Sequence, residues 1–214
     1  MGEYRLLFIR YDVATPRTAL QIGAKRALDV VGSVAAIACL CPMLLIVAIA
    51  IALDSSGPIL FRQRRSGLNG RTFLIYKFRT MTVLEDGPDV KQACRNDRRV
   101  TRIGKILRRA SLDELPQLIN VLKGDMSLVG PRPHALAHDD KYGAHIRHYG
   151  DRYNVKPGLT GWAQINGLRG ETESFHKMAK RVEYDIWYVK NWSLSLDVQI
   201  LWRTGFEVFR DRAY

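Results

Sequence analysis

The stretch Leu28-Asp-Val-Val-Gly-Ser-Val-Ala-Ala-Ile-Ala-Cys-Leu-Cys-Pro-Met-Leu-Leu-Ile-Val-Ala-Ile-Ala-Ile-Ala-Leu53 decides the fold. Asp29 is its one charge, and about 25 apolar residues suffice to cross a bilayer as a helix. The run is too long for a signal peptide, lies well inside the chain and is not followed by a cleavage pattern of small residues. Cytoplasmic ends of membrane segments collect Lys and Arg. Here Arg17, Lys25 and Arg26 precede the run and Arg62, Arg64 and Arg65 follow it, so both ends ask for the same side. A straight span cannot satisfy both. Near the midpoint stands Cys41-Pro42, where proline removes a backbone donor and clashes with the preceding turn. The expectation is a re-entrant helical hairpin over residues 25–54, broken at Pro42, that dips into one leaflet and returns. An ordinary kinked span and the buried helix of a soluble protein are the alternatives. Residues 1–24 then read as an N-terminal tail and residues 55–214 as a domain on the cytoplasmic side.

A chain of 214 residues can build one substantial core. Its 33 Lys and Arg against 21 Asp and Glu give a net charge of +12, which calls for a polyanionic partner: nucleic acid, anionic lipid or a phosphate-rich small molecule. The cysteines number three, and Cys39 and Cys41 lie in the apolar run, which argues against a disulfide framework and for a reducing compartment.

Beyond the turn Ser55-Ser56-Gly57-Pro58, two alternating runs flank Ser66-Gly67-Leu68-Asn69-Gly70 and predict a β-hairpin. In its second strand the two-residue period puts Phe73, Ile75, Lys77 and Arg79 on one face, aiming Lys77 and Arg79 together, either at a ligand or at solvent. Residues 84–97 read as a polar loop. Val100, Ile103, Ile106, Leu107 and Ala110 then recur at helical spacing among Arg98, Arg99, Arg102, Lys105 and Arg109, giving a short cationic amphipathic helix suited to anionic headgroups or to plain solvation. Gly161-Trp-Ala-Gln-Ile165 alternates like a strand, and Phe175, Met178, Ala179, Val182 and Ile186 repeat like a helix. Trp192, Leu196, Ile200, Trp202, Phe206 and Phe209, beside Arg203 and Arg210, predict an interfacial helix, with core packing as the alternative.

The chemistry gathers at Asp113 and Glu114. Ser111-Leu-Asp-Glu114 matches a capping box, but with Ser111 as cap Pro116 would fall where a helix amide should already be bonded. With Asp113 as cap, Pro116 sits in the first turn, Leu115, Leu118, Ile119 and Leu122 form the buried stripe, and Gly124 ends the helix. Capping explains one carboxylate and leaves Glu114 and the clustered arginines unexplained. Consecutive helical positions diverge by about 100°, so the two acids can hold different roles. One can attack phosphorus or hold Mg²⁺, and the other complete the metal site or handle a proton. Arg108 and Arg132 are placed to neutralise phosphate oxygens.

The block Leu107-Arg-Arg-Ala-Ser-Leu-Asp-Glu-Leu-Pro-Gln-Leu-Ile-Asn-Val-Leu-Lys-Gly-Asp-Met-Ser-Leu-Val-Gly-Pro-Arg-Pro133 closely resembles the bacterial sugar transferase family, the monotopic phosphoglycosyl transferases. So do Tyr76-Lys-Phe-Arg-Thr-Met81, Lys156-Pro-Gly-Leu-Thr-Gly-Trp-Ala-Gln-Ile-Asn-Gly167 and Glu183-Tyr-Asp185. The resemblance runs from Lys25 to the C-terminus. It implies an enzyme at the cytoplasmic face of the bacterial inner membrane that moves a sugar 1-phosphate from a UDP-sugar to undecaprenyl phosphate and releases UMP, as the initiating step of exopolysaccharide or surface glycoconjugate synthesis. It also implies Mg²⁺ as cofactor, Asp113 as the nucleophile that forms a phosphosugar intermediate, and Glu114 as its partner at the metal. Arg108 and Arg132 match arginines near the phosphates, and Lys77, Arg169 and Asp185 are further carry-overs. The family breaks its membrane helix at Ser-Pro; here Cys41-Pro42 keeps the break and loses a hydroxyl that can bond back to the helix. Gly167-Leu-Arg-Gly-Glu-Thr172 resembles the loop of members that transfer hexose 1-phosphate of the glucose or galactose type.

The expected fold is therefore α+β and mainly helical: a re-entrant membrane hairpin, a short β-hairpin and amphipathic interfacial helices around one catalytic domain. The expected partners are a UDP-sugar, undecaprenyl phosphate and membrane lipids, without nucleic acid and with a homodimer left open. Two rivals stand beside this reading: a tethered polyanion-binding protein whose affinity falls steeply with salt and needs no metal, and a glycosyltransferase that would release UDP. His134 and His138 lack the acidic partner of a zinc protease motif and read as surface histidines. Larger relatives carry further helices and a domain ahead of this part, so residues 1–24 read as a remnant of such an extension or as a native tail.

Overall fold

The computed structural model describes residues 18–83, 86, 97–170 and 174–207. Most of the predicted loop over 84–97, together with Glu171, Thr172, Phe209 and Arg210, lies outside the described residues. The apolar run forms α1 (Ala19–Asp54), opened by a capping box in which Thr18 Oγ1 accepts from the Gln21 amide and Gln21 Oε1 from the Thr18 amide. Residues 19–24, read from the sequence as the end of a tail, are therefore helical. Among the described residues α1 is the one helix long and apolar enough to cross a membrane. It runs through Pro42 as a single element, without the interruption expected there.

Both ends of α1 are fastened to the rest of the chain. Near its start, Lys25 Nζ donates to Asp197 Oδ2 (2.6 Å) and to the Val129 carbonyl (3.1 Å). Arg26 donates to the carbonyls of Val121 (2.6 Å) and Leu122 (2.7 Å), where a cation meets the negative end of α3 (Gln117–Lys123). Asp29, buried, accepts from the Ser127 hydroxyl and the Leu128 amide, both at 2.9 Å. At the other end, Val47 and Ile51 pack with Phe78 and Leu107. Lys25 and Arg26 thus act as tethers to the protein body as well as flanking charges. Between these ends Val34, Leu45, Ile46 and Ile49 stay exposed.

β1 (Leu60–Ser66) and β2 (Thr72–Phe78) pair antiparallel from Leu60 opposite Phe78 to Ser66 opposite Thr72, as the alternation predicted. α2 (Arg102–Arg109) buries Leu107 and leaves Ile106 62% exposed among its basic residues. α3 ends at Gly124, whose φ of 89° suits glycine. Its buried side chains are Gln117, Leu118, Asn120 and Val121, while Ile119 is 43% exposed, so the predicted stripe is displaced. The reason is polar: Asn120 caps the hairpin edge, accepting from the Tyr76 amide (2.9 Å) and donating to the Leu74 carbonyl (2.7 Å), which turns the helix to that face.

β3 (Ser127–Val129) and β4 (Gly158–Thr160) pair in parallel. The backbones beyond them touch: a Cβ on Gly158 would stand 2.1 Å from the Gly130 nitrogen, and one on Gly130 2.4 Å from the Lys156 carbonyl. Only glycine permits this approach, which fixes where residues 131–134 leave β3. α4 (Leu136–Gly143) follows, and α5 (Trp162–Ile165) takes the place of the strand expected over 161–165. A short alternating run cannot by itself separate strand from helix; here Trp162 stacks on Trp187 at 4.7 Å. α6 (Phe175–Lys190) is the helix its period predicted, and Ser174 caps it. α7 (Leu194–Glu207) divides its apolar residues: Leu196 and Ile200 enter the core, whereas Trp202 and Phe206 are 71% and 57% exposed. The core itself joins Ile75, Leu118, Val121, Met126, Leu128 and Tyr188 with Ala36 and Ile37 of α1. The α+β, mainly helical expectation stands.

Candidate active site

The acid pair lies on a turn. Ser111 follows α2 in the left-handed region (φ 57°), and Leu112–Glu114 form one turn of 3-10 helix before Pro116 opens α3. Neither Ser111 nor Asp113 caps α3 through its side chain, which corrects the expected start of that helix. The first-turn amides of Leu118 and Ile119 donate to the carbonyls of Leu115 and Pro116, both at 3.0 Å, so these two need no side-chain cap and Asp113 is released from that duty. Arg169 Nη2 donates to Ser111 Oγ at 2.6 Å and holds the turn from the far side.

Glu114 is buried and clamped. Lys77 Nζ donates to its Oε1 at 2.7 Å, Arg132 Nη1 to its Oε2 at 2.9 Å, and Arg132 Nη2 also to Oε1. Burial alone would raise its pKa, but the charges of Arg132 and Lys77 outweigh burial and hold the carboxyl well below the usual range. Asp113 is half-buried and titrates the other way: burial, and then the neighbouring Glu114 charge, push it up to about 6 against Lys77, Arg108 and Arg132. The pair is divided into a clamped member whose carboxyl is held low by its cations and a member whose carboxyl is raised to about 6.

Lys77, Arg108, Arg132, Asp113 and Glu114 are thus brought together. Arg79 is not. β2 ends at Phe78, and the Arg79 guanidinium turns to the carboxyl end of α1, donating to the carbonyls of Ser55 (2.5 Å), Ser56 (2.8 Å) and Ile51 (3.3 Å). The expectation that it shares a substrate face with Lys77 fails because a helix end offers unpaired carbonyls that a buried cation satisfies. Asp185 also stands back from the acid pair. It accepts from Arg152 Nε at 2.9 Å, both groups being buried, and Arg152 Nη2 donates to the Arg132 carbonyl at 2.6 Å. With Arg65 Nη1 on the Pro133 carbonyl (3.2 Å), two arginines hold the backbone that presents Arg132. Asp185 is a positioning residue. Arg152 and Arg65 were missed because neither stands in a recognisable spacing relative to Arg132. His134, read as a surface residue, is buried beside Tyr149 and Arg152.

Among the described residues no three His, Cys, Asp or Glu side chains gather as a metal cage. Both Glu114 oxygens accept from cations, so a metal ion at Glu114 would share them with Lys77 and Arg132. The residues still fit Mg²⁺ in the manner usual for phosphate substrates, where one carboxylate, here Asp113, joins phosphate oxygens and water around the ion.

The family model described as Bacterial sugar transferase matches residues 20–211. The chain belongs to the bacterial sugar transferase family. It is 56% identical over 200 residues to the UDP-glucose:undecaprenyl-phosphate glucose-1-phosphate transferase of Caulobacter vibrioides, covering 94% of this chain and 74% of that one. The protein of the same name from Escherichia coli is 49% identical over 203 residues, covering 95% of this chain and 43% of that one. A third sugar transferase relative, the UDP-N-acetylgalactosamine-undecaprenyl-phosphate N-acetylgalactosaminephosphotransferase of Aeromonas hydrophila, is 43% identical over 180 residues, 84% of this chain and 42% of that one. The chain therefore spans less than half the length of two of these three relatives.

Proposed function

We propose that this sugar transferase moves a hexose 1-phosphate, glucose 1-phosphate in the first instance, from its UDP-sugar to undecaprenyl phosphate and releases UMP. The observation that carries the reading is the divided acid pair: an accessible Asp113 that ionises near neutrality beside a Glu114 locked by Arg132 and Lys77. An Asp113 oxygen attacks the sugar-bearing phosphorus, the bond from that phosphorus to the bridging oxygen breaks, and UMP leaves with that oxygen. An oxygen of undecaprenyl phosphate then attacks the same phosphorus, freeing the Asp113 carboxylate and leaving a diphosphate-linked lipid sugar. Arg108 and Arg132 stabilise the negative charge that builds on the transferring group, and Glu114 holds Arg132 and Lys77 in place for it. When bound, Mg²⁺ supplies further charge neutralisation at the diphosphate, with Asp113 as its ligand on the protein.

The membrane placement follows from α1. A helix that crosses a bilayer separates its ends by about 30 Å of hydrocarbon. Lys25, Arg26 and Asp29 at one end and Ile51, Ser55 and Asp54 at the other all contact the body that carries Asp113, and Ile103 donates its amide to Asp54 Oδ2. These contacts support an α1 that enters and leaves the membrane on one side as a continuous helix through Pro42, with the exposed Ile106, Trp202 and Phe206 at the headgroups and the site on the cytoplasmic face of the inner membrane. The test is incubation of the purified protein with UDP-glucose, undecaprenyl phosphate and Mg²⁺, reading nucleotide and lipid together. UMP and a diphosphate-linked lipid are expected; UDP as the nucleotide product overturns the proposal. The name of the Aeromonas hydrophila relative makes UDP-N-acetylgalactosamine the second donor to assay.

A further inference from the structure

The residue that closes a helix often stands in the left-handed region, and glycine usually takes that place, as Gly124 does at the end of α3. After α2 the chain puts Ser111 there instead, at φ 57° and ψ 22°. A β-carbon makes this conformation costly, so the choice of serine works against the backbone. What serine adds is a hydroxyl. Its Oγ accepts from Arg169 Nη2 at 2.6 Å, a bond strengthened by the charge of the donor.

Ser111 is also a joint of the site. Its amide donates to the Arg108 carbonyl (3.2 Å), and its own carbonyl accepts from the Glu114 amide (3.3 Å). Rotation about the Ser111 backbone therefore moves Asp113 and Glu114 against Arg108. The other end of the Arg169 contact is fixed in turn. Arg181, buried on α6, donates from Nε to the Leu168 carbonyl (3.0 Å) and from Nη2 to the Gly170 carbonyl (2.8 Å), one residue to either side of Arg169. The Leu168 amide donates to the Ala163 carbonyl of α5 at 3.0 Å. A loop tied to two helices thus presents the guanidinium that holds the turn before Asp113. Strained backbone persists where the surroundings over-determine it, and a displacement of about 1 Å at a reacting group can cost on the order of 10²-fold in rate.

We propose that Ser111 and Arg169 are positioning residues for the nucleophile: Arg181 fixes the loop over 168–170, Arg169 carries that fixed point to the Ser111 hydroxyl, and Ser111 sets where Asp113 stands relative to Arg108 and Glu114. The inference rests on the transferase reading above for the role of Asp113. It makes Arg169 act through the acid turn, so that its effect on the reaction depends on Ser111.

The test is a double-mutant cycle on UMP release by the full chain in detergent, with UDP-glucose, undecaprenyl phosphate and Mg²⁺ present and kcat expressed per folded molecule. Ser111→Ala and Arg169→Met are each expected to lower kcat about tenfold, with KM for UDP-glucose within about twofold of the wild type, and the double variant to lose no more than either single one. Losses that multiply to about a hundredfold, or a loss carried by KM, put Arg169 on the substrate and overturn the proposal. Unchanged kcat per folded molecule reduces the bond to a stability contact and overturns it as well. Ser111→Gly adopts the left-handed turn freely and lacks the hydroxyl, so it should lose as much as Ser111→Ala; wild-type kcat in Ser111→Gly overturns the assignment. If Arg169→Met does not fold, Arg169→Leu takes its place, and if neither folds the two Ser111 variants decide. Wild-type protein that releases no UMP removes the reaction and leaves the hold on the turn to hydrogen exchange at the Glu114 and Leu115 amides. Exchange roughly tenfold faster in each single variant, and no faster in the double one, is then expected; exchange as slow as in the wild type overturns it.

Discussion

Replacing Asp113 by Asn should stabilise the metal-free protein while ending turnover. In the folded chain the Asp113 carboxyl rises from 3.8 to about 6, first through burial and then through Glu114. A carboxyl with a raised folded pKa adds stability below its unfolded pKa and loses it as pH climbs through the folded value, so this contribution drains away between about pH 4 and pH 6. A shift of roughly 2 units corresponds to about 3 kcal/mol at 1.36 kcal/mol per unit. Solvent reaches the half-buried side chain, and screening brings the expected effect to roughly 1–3 kcal/mol. Asn is an uncharged near-isostere of the protonated acid and never incurs the loss. Thermal unfolding in detergent with a chelator present should show coincident midpoints near pH 4 and an Asp113→Asn midpoint higher by about 4–8 °C at pH 7, taking a central 2 kcal/mol for a chain of this size. Added Mg²⁺ should narrow the gap by offsetting the same repulsion in the wild type. A gap that does not change with pH, or a variant less stable at pH 7, refutes the reasoning.

Arg132→Lys keeps a cation but loses the two-pronged hold on Glu114; kcat for UDP-glucose should fall by about 10²-fold, the scale of one preorganised donor, with a smaller change in KM. Asp185→Asn leaves Arg152 as an uncompensated buried charge and should cost about 3–5 kcal/mol in denaturant unfolding, and the folded fraction should also show a lower kcat because the backbone that presents Arg132 is less firmly held. Arg79→Met should destabilise by roughly 1.5–3 kcal/mol through the uncapped end of α1, while the folded fraction keeps its KM for UDP-glucose. Chelation of divalent ions should abolish UMP release and lower the wild-type melting temperature at pH 7 relative to the Mg²⁺-loaded protein; persistent release removes Mg²⁺ from the proposal.

Periodicity and turn chemistry carried much of the architecture. The apolar run, the hairpin about Gly67–Gly70, the Gly124 stop and α6 are all visible as local patterns. Helix 162–165 and the displaced α3 face were not, because a short run is assigned by what it packs on and Asn120 answers to a strand edge far along the chain. At the site the contrast is sharper. Asp113, Glu114, Lys77 and Arg132 could be named from residue type and motif. Which acid is clamped and which titrates could not, since Lys77 and Arg132 reach Glu114 from 37 and 18 residues away.

The sequence by itself determined what is local: a membrane-length helix, basic flanks, helix and hairpin punctuation, and an acid pair in a family-specific frame. Only the tertiary structure decided where charges are spent, sending Arg79 to the end of α1, Asp185 to Arg152, and Lys25 and Arg26 to the body beneath the helix. The physical reason is that burial makes every charge seek a partner, and partners are set by distance in space, which a linear pattern does not encode.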